Sequence, residues 1–415
     1  MGSERSTPSA GPQRARQMTA TLLAGDLFAR YEEFARTDLR PFNCKHARIV
    51  SEMQQLVRES GGLLNMRRLG DSLEGRTINL VSCGTGKTTV LLWSQMHGDE
   101  PTATLAMMDM FAFLASASHR EPWVRSMLSD VCIHAIPMLN PDGAERLQRH
   151  TAVQIDMNRD ARAGVTPEGT ILRSAQRTLN PLFGFNLHDQ ALSSVGMTPK
   201  VAALALLAPA GDEARSLPLT RVRAMRVAAL IVQSLQQFIG GHMASYDDTF
   251  EPRAFGDTMQ GWGTSTVLIE SGHWPGDPEK KFVRKLNVVA LLCALRSIGN
   301  QSYQDTELEY YQSLKPNGKR IYDYILHGLL LEYPGGWSHR VDVGLEVDPK
   351  NNPWPADGSA MQPVVTVKEI GDLHGFGALE PIDARGRRLA VGALALEQSL
   401  SLEHVFDLLQ MYHGT

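Results

Sequence analysis

Apolar positions recur along the chain first at helical and then at strand spacing. Residues 47–59 carry Ile49, Met53, Leu56 and Val57 on one helical face, and Gly61-Gly62 ends that pattern. From there the period shortens. Thr77 to Cys83 and Thr89 to Ser94 read as short β runs, and Gly84-Thr85-Gly86-Lys87 between them, with two glycines available for positive φ, predicts a hairpin. Further strands are expected at Val131 to Met138, Gly184 to His188, Val201 to Ala208 and Ser265 to Glu270. They alternate with helices expected at Pro101 to Ser118, Arg221 to Ile239 and Asp277 to Ile298, the pattern of an α/β sheet covered by helices. After Asn300 the texture changes to a charged helical stretch reaching about His327. Tyr333-Pro-Gly-Gly-Trp337 follows, with a Pro-rich loop at 349–355 and β runs at Val341 to Val347 and Pro363 to Ile370. The expected organisation is a disordered tail over 1–25, an α/β domain over 26–302 and a small β-rich C-terminal domain over 303–415.

Composition narrows the function classes. With 415 residues, 43% of them hydrophobic and 21% charged, the chain is globular. The balance of 41 Lys+Arg against 45 Asp+Glu, with no long basic run, argues against a nucleic-acid partner. The longest apolar stretch, Val201 to Ala210, is about half the roughly 20 residues that span a bilayer, so no membrane partner is expected. Cys44, Cys83, Cys132 and Cys293 lack any CxxC spacing and read as buried thiols in a reducing, cytoplasmic setting. Gly86-Lys87-Thr88 resembles the end of a phosphate-binding loop, but Val81 stands where that loop requires glycine. Oligomeric state is not readable.

The candidate chemistry lies at strand ends. His97 and Glu100 stand three apart where a strand feeds a helix, and His188 ends another expected strand. Two imidazoles and a carboxylate suit zinc, leaving a fourth position for water, although each His alone reads more readily as a structural imidazole. Glu270 ends an apolar strand before Ser271-Gly272; beside a metal it would serve as general base, and alone it would face solvent. Asn140-Pro-Asp-Gly143 marks a turn. Downstream, Arg149 and Asp156-Met-Asn158-Arg159 supply two guanidinium groups and an amide that fit carboxylate recognition, with surface ion pairing as the plainer reading.

Taken together, His97-x-x-Glu100, Asn140-Pro-Asp-Gly143, Arg149, Asp156-Met-Asn158-Arg159, His188 and Glu270 resemble the zinc carboxypeptidases of the carboxypeptidase A type, in a form closer to a bacterial branch. Gly70-Asp-Ser-Leu-Glu-Gly-Arg76 also resembles the segment that precedes the metal motif in that family. The resemblance spans about residues 63 to 300. It implies a mixed central β-sheet flanked by helices and one zinc ion held by His97, Glu100 and His188. It further implies Glu270 as general base and Arg149 at the scissile carbonyl, with Asn158 and Arg159 on the substrate's free α-carboxylate. Tyr246 is the candidate for the family's mobile capping tyrosine. The arginine that digestive members often carry between the first two ligands is replaced here by Gly98-Asp99.

The expected function is zinc-dependent hydrolysis of the C-terminal bond of a peptide. Two alternatives remain open: an N-acyl-amino-acid deacylase of the aspartoacylase or succinylglutamate desuccinylase type, and a non-catalytic peptide-binding protein.

Overall fold

The computed structural model describes residues 12–347 and 363–411. Ten strands make the large sheet: β1 (Asn65–Asp71), β2 (Thr77–Cys83), β3 (Thr88–Ser94), β4 (Val131–Ile136), β5 (Phe183–Asp189), β6 (Ser194–Val195), β7 (Leu204–Leu207), β8 (Met243–Ser245), β9 (Ser265–Ser271) and β10 (Lys315–Gly318). Their order is β1-β2-β4-β3-β5-β9-β7-β8-β10-β6. Strands β4, β3, β5 and β9 are parallel, while β2 and β7 join them antiparallel, so the sheet is mixed.

The hairpin expected at Gly84 to Lys87 does not form, because β4 enters between β2 and β3. The two glycines serve that crossing instead. A Cβ on Gly84 would stand 2.3 Å from Val131 O, and one on Gly86 would stand 1.9 Å from the Asp130 carbonyl carbon. Glycine is needed here for close backbone approach to the start of β4, and Gly84 also takes the positive φ, 84°, that its type allows.

Helices α1 (Pro12–Ala29), α2 (His46–Glu59), α3 (Thr102–Ala117), α4 (Pro122–Asp130), α5 (Pro141–Arg146), α6 (Pro167–Leu179), α7 (Leu219–Ile239), α8 (Phe255–Gly261) and α9 (Lys281–Gly299) surround the sheet. Strand β5 is buried on both faces, and the sheet separates two cores. Phe183, Phe185 and Leu187 join Val90, Leu92, Val267 and Ile269 beneath α3, α7 and α9. On the other face Leu91 and Trp93 pack with Leu172 of α6 and Phe255 and Met259 of α8. Helix α9 starts at Lys281 rather than Asp277 because the Asp277 carboxylate caps it, accepting from the Lys281 and Phe282 amides at 2.7 and 2.8 Å.

The tail expected over 1–25 is helical from residue 12 onward, and Leu23, Ala24 and Leu27 are buried in the main core. Its first 11 residues lie outside the described part. The charged helical stretch expected to reach His327 is also absent. Residues Ser302–Asp305 and the short α10 (Glu309–Gln312) are single turns, after which the chain extends into β10 and β11 (Ile321–Glu332). Pro316 and Gly318 disfavour continued helix, and Ile325, Leu326, Leu329 and Leu331 supply buried strand positions.

A second sheet follows, in the order β14-β11-β12-β13-β16 with β15 beside β11. Its further strands are β12 (Ser338–Val347), β13 (Val364–Gly371), β14 (Gly377–Asp383), β15 (Arg388–Ala390) and β16 (Ser399–Ser401), closed by α11 (Leu402–Met411). Tyr333 to Trp337 forms the β11–β12 turn. Trp337 is 56% exposed and stacks on Tyr333 at 4.6 Å. Trp354 and the Pro-rich loop lie outside the described residues. All four cysteines are free, and only Cys132 is more than marginally accessible. Among the described residues no helix is long and apolar enough to cross a membrane.

Candidate active site

The site sits where β3, β5 and β9 end, at the carboxyl edge of parallel strands where α/β sheets open to ligands. His97 lies in the loop after β3, Glu100 just before α3, and His188 near the end of β5 in register with Glu270 on β9. One ligand atom from each of His97, Glu100 and His188 lies within 4.8 Å of the other two. His97 Nδ1 is 2.7 Å from Glu100 Oε1, and His188 Nδ1 is 2.8 Å from Glu100 Oε2.

Local sequence explains the loop that carries His97. Gln95 takes a positive φ of 50° and its side chain donates to Gly98 O at 2.9 Å. Gly98 lies flush against α5, where a Cβ would stand 2.0 Å from the Gly143 carbonyl carbon. No side chain fits between the two ligands at this position, which accounts for glycine there. Asn140 fastens the neighbouring turn by accepting from Gly143 N at 2.9 Å and donating to Met96 O at 3.2 Å. Asp142, fully buried, accepts from Ser72 Oγ at 2.6 Å and from Arg76 Nη1 at 2.7 Å, so Gly70 to Arg76 acts as a brace behind the site.

The donors fit zinc in kind and placement: two imidazole nitrogens and a carboxylate oxygen, buried and convergent. Behind His97, Asp156 Oδ1 lies 3.1 Å from Nε2, the carboxylate backing that orients a metal-binding imidazole. Burial opposes charge on His97, but Glu100 and Asp156 outweigh it and push its pKa up to about 9. Burial would lift the Glu100 carboxyl, yet the two imidazoles hold it well below the usual carboxylate range. His188 is lowered by burial despite Glu100, and its Nε2 is buried with no hydrogen-bond partner. Glu270 is 6% exposed; burial, then the charge of Glu100, pushes its carboxyl well above the ordinary value.

The remaining expected residues are also brought to this edge. Arg149 Nη1 lies 3.1 Å from His97 Nδ1 and 3.4 Å from Glu100 Oε1, while its Nε and Nη2 donate to Asp156 Oδ2 at 3.2 and 3.0 Å. Asn158 Oδ1 accepts from Phe255 N at 2.9 Å, joining the Asp156–Arg159 turn to the start of α8. Arg159 Nη1 donates to Asn158 O at 2.8 Å, with Nε 3.6 Å from Glu251 Oε2. Tyr246 is 37% exposed directly after β8, and burial followed by the charges of Glu270 and Glu100 pushes its phenol up to about 12.

Three contributors were not assigned roles from sequence. Asp156 stood inside a recognised motif, but its contact with His97 bridges 59 positions. Asp189, next to His188, accepts from Thr102 Oγ1 at 2.6 Å and pairs with Lys280 Nζ at 3.2 Å, while its backbone N donates to Glu100 Oε2 at 3.2 Å. Lys280 carries no local signal for this; its left-handed backbone, φ 53°, turns it inward ahead of α9.

Residues 49–187 match the family model of zinc carboxypeptidases, a stretch that takes in His97, Glu100, Arg149, Asn158 and Arg159 and ends just before His188. Carboxypeptidase A2 of Rattus norvegicus is 31% identical over 97 residues, 23% of this chain and 23% of that protein. Carboxypeptidase 2 of Trichophyton equinum is 27% identical over 118 residues, 26% of this chain and 21% of that protein. The chain thus spans about a quarter of the length of the curated relatives it matches. The crystal structure of thrombin activatable fibrinolysis inhibitor aligns at a TM-score of 0.52 and 12% identity, covering 68% of this chain and 80% of that one, which is a likeness of fold. Over residues 49–187, the chain is thus similar to the zinc carboxypeptidase family.

Proposed function

We propose that the protein is a metallocarboxypeptidase that removes the C-terminal residue of a peptide. The observation that carries this reading is Glu270 in register with His188, beside three convergent metal donors at the ends of parallel strands. His97, Glu100 and His188 would hold one zinc ion. Zinc, when bound, supplies Lewis-acid activation of water and of the scissile carbonyl.

The chain's own groups do the rest. The Glu270 carboxylate takes a proton from the attacking water and delivers it to the departing amine, a transfer favoured by the raised proton affinity its burial confers. Arg149, whose fork is steadied by Asp156, holds the carbonyl oxygen as negative charge develops on it. Asn158 and Arg159 grip the terminal carboxylate, with the guanidinium matching its two oxygens. Tyr246, half-exposed at the rim, closes over the bound residue. This grip on a free carboxylate is what would make the enzyme an exopeptidase.

The test is direct. The purified protein should carry about one zinc per chain, and Glu270→Gln should keep that zinc while losing about a hundredfold or more in turnover. Failure to retain zinc in zinc-replete medium, or activity of the variant within a few-fold of the parent, would overturn the reading. Equal cleavage of peptides with free and amidated C-termini would contradict the role of Asn158 and Arg159.

A further inference from the structure

Lys280 stands where local rules disfavour a lysine. It is the residue before α9, its backbone is left-handed at φ 53°, and its side chain gives the helix no capping bond. A cation at that end also opposes the helix dipole. A residue that breaks three local preferences is held by contacts from elsewhere in the fold. Two such contacts are present: Lys280 Nζ lies 3.2 Å from Asp189 Oδ2 and donates to Ser271 O at 3.1 Å.

Both partners lie at the heart of the site. Asp189 and Ser271 are the last residues of β5 and β9, are register neighbours, and directly follow His188 and Glu270. From α3, Thr102 donates to the same Asp189 oxygen at 2.6 Å, two residues after Glu100, and Asp189 N donates to Glu100 Oε2 at 3.2 Å. The Asp189 carboxylate therefore joins the segments that carry Glu100 and His188, and Lys280 extends that link to the segment of Glu270. The Lys280 and Asp189 side chains are only 15% and 9% exposed. Asp189 Oδ1 is buried without a hydrogen bond, so the bonds to Oδ2 are what holds this carboxylate. A buried carboxylate stripped of its cation is strongly unfavourable and moves toward whatever can solvate it. Arg149, which also reaches Glu100, is held by Asp156.

From this geometry we infer that Lys280 is a positioning residue of the active site: its ammonium bridges the ends of β5 and β9 through Asp189 and Ser271, and so sets Glu270 against the candidate metal donors Glu100 and His188. It acts through those two residues and not on the substrate. Misplacing a reacting group by about 1 Å can cost about a hundredfold in rate, so a bridge between the two strands that carry the base and a donor bears directly on turnover. Asn287 of α9 separately bonds Ser271 Oγ at 3.0 Å, which keeps the helix seated on β9 when Lys280 is changed.

This inference rests on the carboxypeptidase reading, and metal readouts separate the two. In zinc-loaded full-length protein, Lys280→Met, which keeps the length and removes the charge, should lower kcat about tenfold or more. KM should stay within about twofold of the parent, because the proposed carboxylate grip at Asn158 and Arg159 is untouched. Metal affinity should fall about tenfold, read as the chelator concentration that strips zinc. The visible absorption of the cobalt-loaded protein should change as well. Lys280→Arg, which keeps a cation for both acceptors, should recover most of each loss. Should Lys280→Met not fold, Asp189→Asn, which keeps the shape and removes the charge, should show the same losses in smaller measure. Parental kcat and metal affinity in either charge-removing variant, a lower melting temperature as the only change, a loss carried by KM alone, or an arginine variant no better than the methionine one would each overturn the role. A parent that binds zinc without cleaving peptides would sink the enzyme reading, and the chelator and cobalt measurements would still decide on Lys280.

Discussion

Asp156 accepts from Arg149 with one oxygen and meets the rear nitrogen of His97 with the other, so one carboxylate orients both a proposed metal donor and the proposed oxyanion holder. Replacing it by asparagine keeps the shape and removes the charge. Asp156→Asn should weaken zinc binding about 10–100-fold, read as the chelator concentration that strips the metal, while unfolding in denaturant stays close to the parent. Unchanged zinc affinity would remove Asp156 from this role. At this scale the sequence was most informative where a residue's type carries its chemistry. His97, Glu100, His188 and Glu270 could be picked as donors and base from strand-end position and family likeness. The function of Asp156 was hidden because it depends on a partner brought near only by folding. Gly98 was similarly visible as a departure from the digestive pattern, and only its 2.0 Å approach to Gly143 supplies the reason.

Elements defined by long local patterns were legible, and those that depend on a distant strand were not. The buried runs of β5 and β9 stand where apolar β-formers cluster. The β2–β3 hairpin failed because turn glycines signal permissive backbone, not which strand will lie alongside; β4 took that place. The stretch after Asn300 failed for a related reason: its charged residues are helix-compatible, and strand β11 is selected by packing in the second sheet. That strand carries a pH-sensitive group. Asp323 accepts from Val347 N at 2.8 Å, and burial, followed by the charge of Glu346, pushes its pKa up from 3.8 to about 6. A carboxyl raised in the folded state contributes stability that is fully present below about pH 4 and is lost as pH rises through about 6. Asp323→Asn, which keeps an acceptor for Val347, should therefore match the parent near pH 4 and exceed it in melting temperature at pH 7. A gap that is constant with pH would refute the assignment.

At the scale of the whole molecule, the C-terminal part is fastened to the active-site rim. Strand β10 pairs with β8, just ahead of Tyr246, and with β6, in the segment that follows His188. Asn317 Nδ2 donates to Gln190 Oε1 at 2.6 Å, and Arg320 N donates to Ser194 Oγ at 3.0 Å. Two glycines make backbone contacts that admit no side chain: a Cβ on Gly318 would stand 1.9 Å from Gly196 O, and one on Gly377 would stand 2.0 Å from Pro199 O. Gly318→Ala should destabilise the protein by about 2 kcal/mol or more and lower turnover together with it, since the displaced loop leads back to His188. Calorimetry and activity on the same sample check this, and a fully active variant of parental stability would refute it. The sequence by itself determined the α/β class, the positions of the central strands and the types of the proposed catalytic groups, because burial periodicity and donor chemistry are properties of short segments. Only the tertiary structure decided which strands are neighbours, what stands behind each candidate metal donor, and that residues beyond 303 complete the large sheet. Those are relations between segments far apart in the chain, fixed by packing and by where backbone can approach backbone.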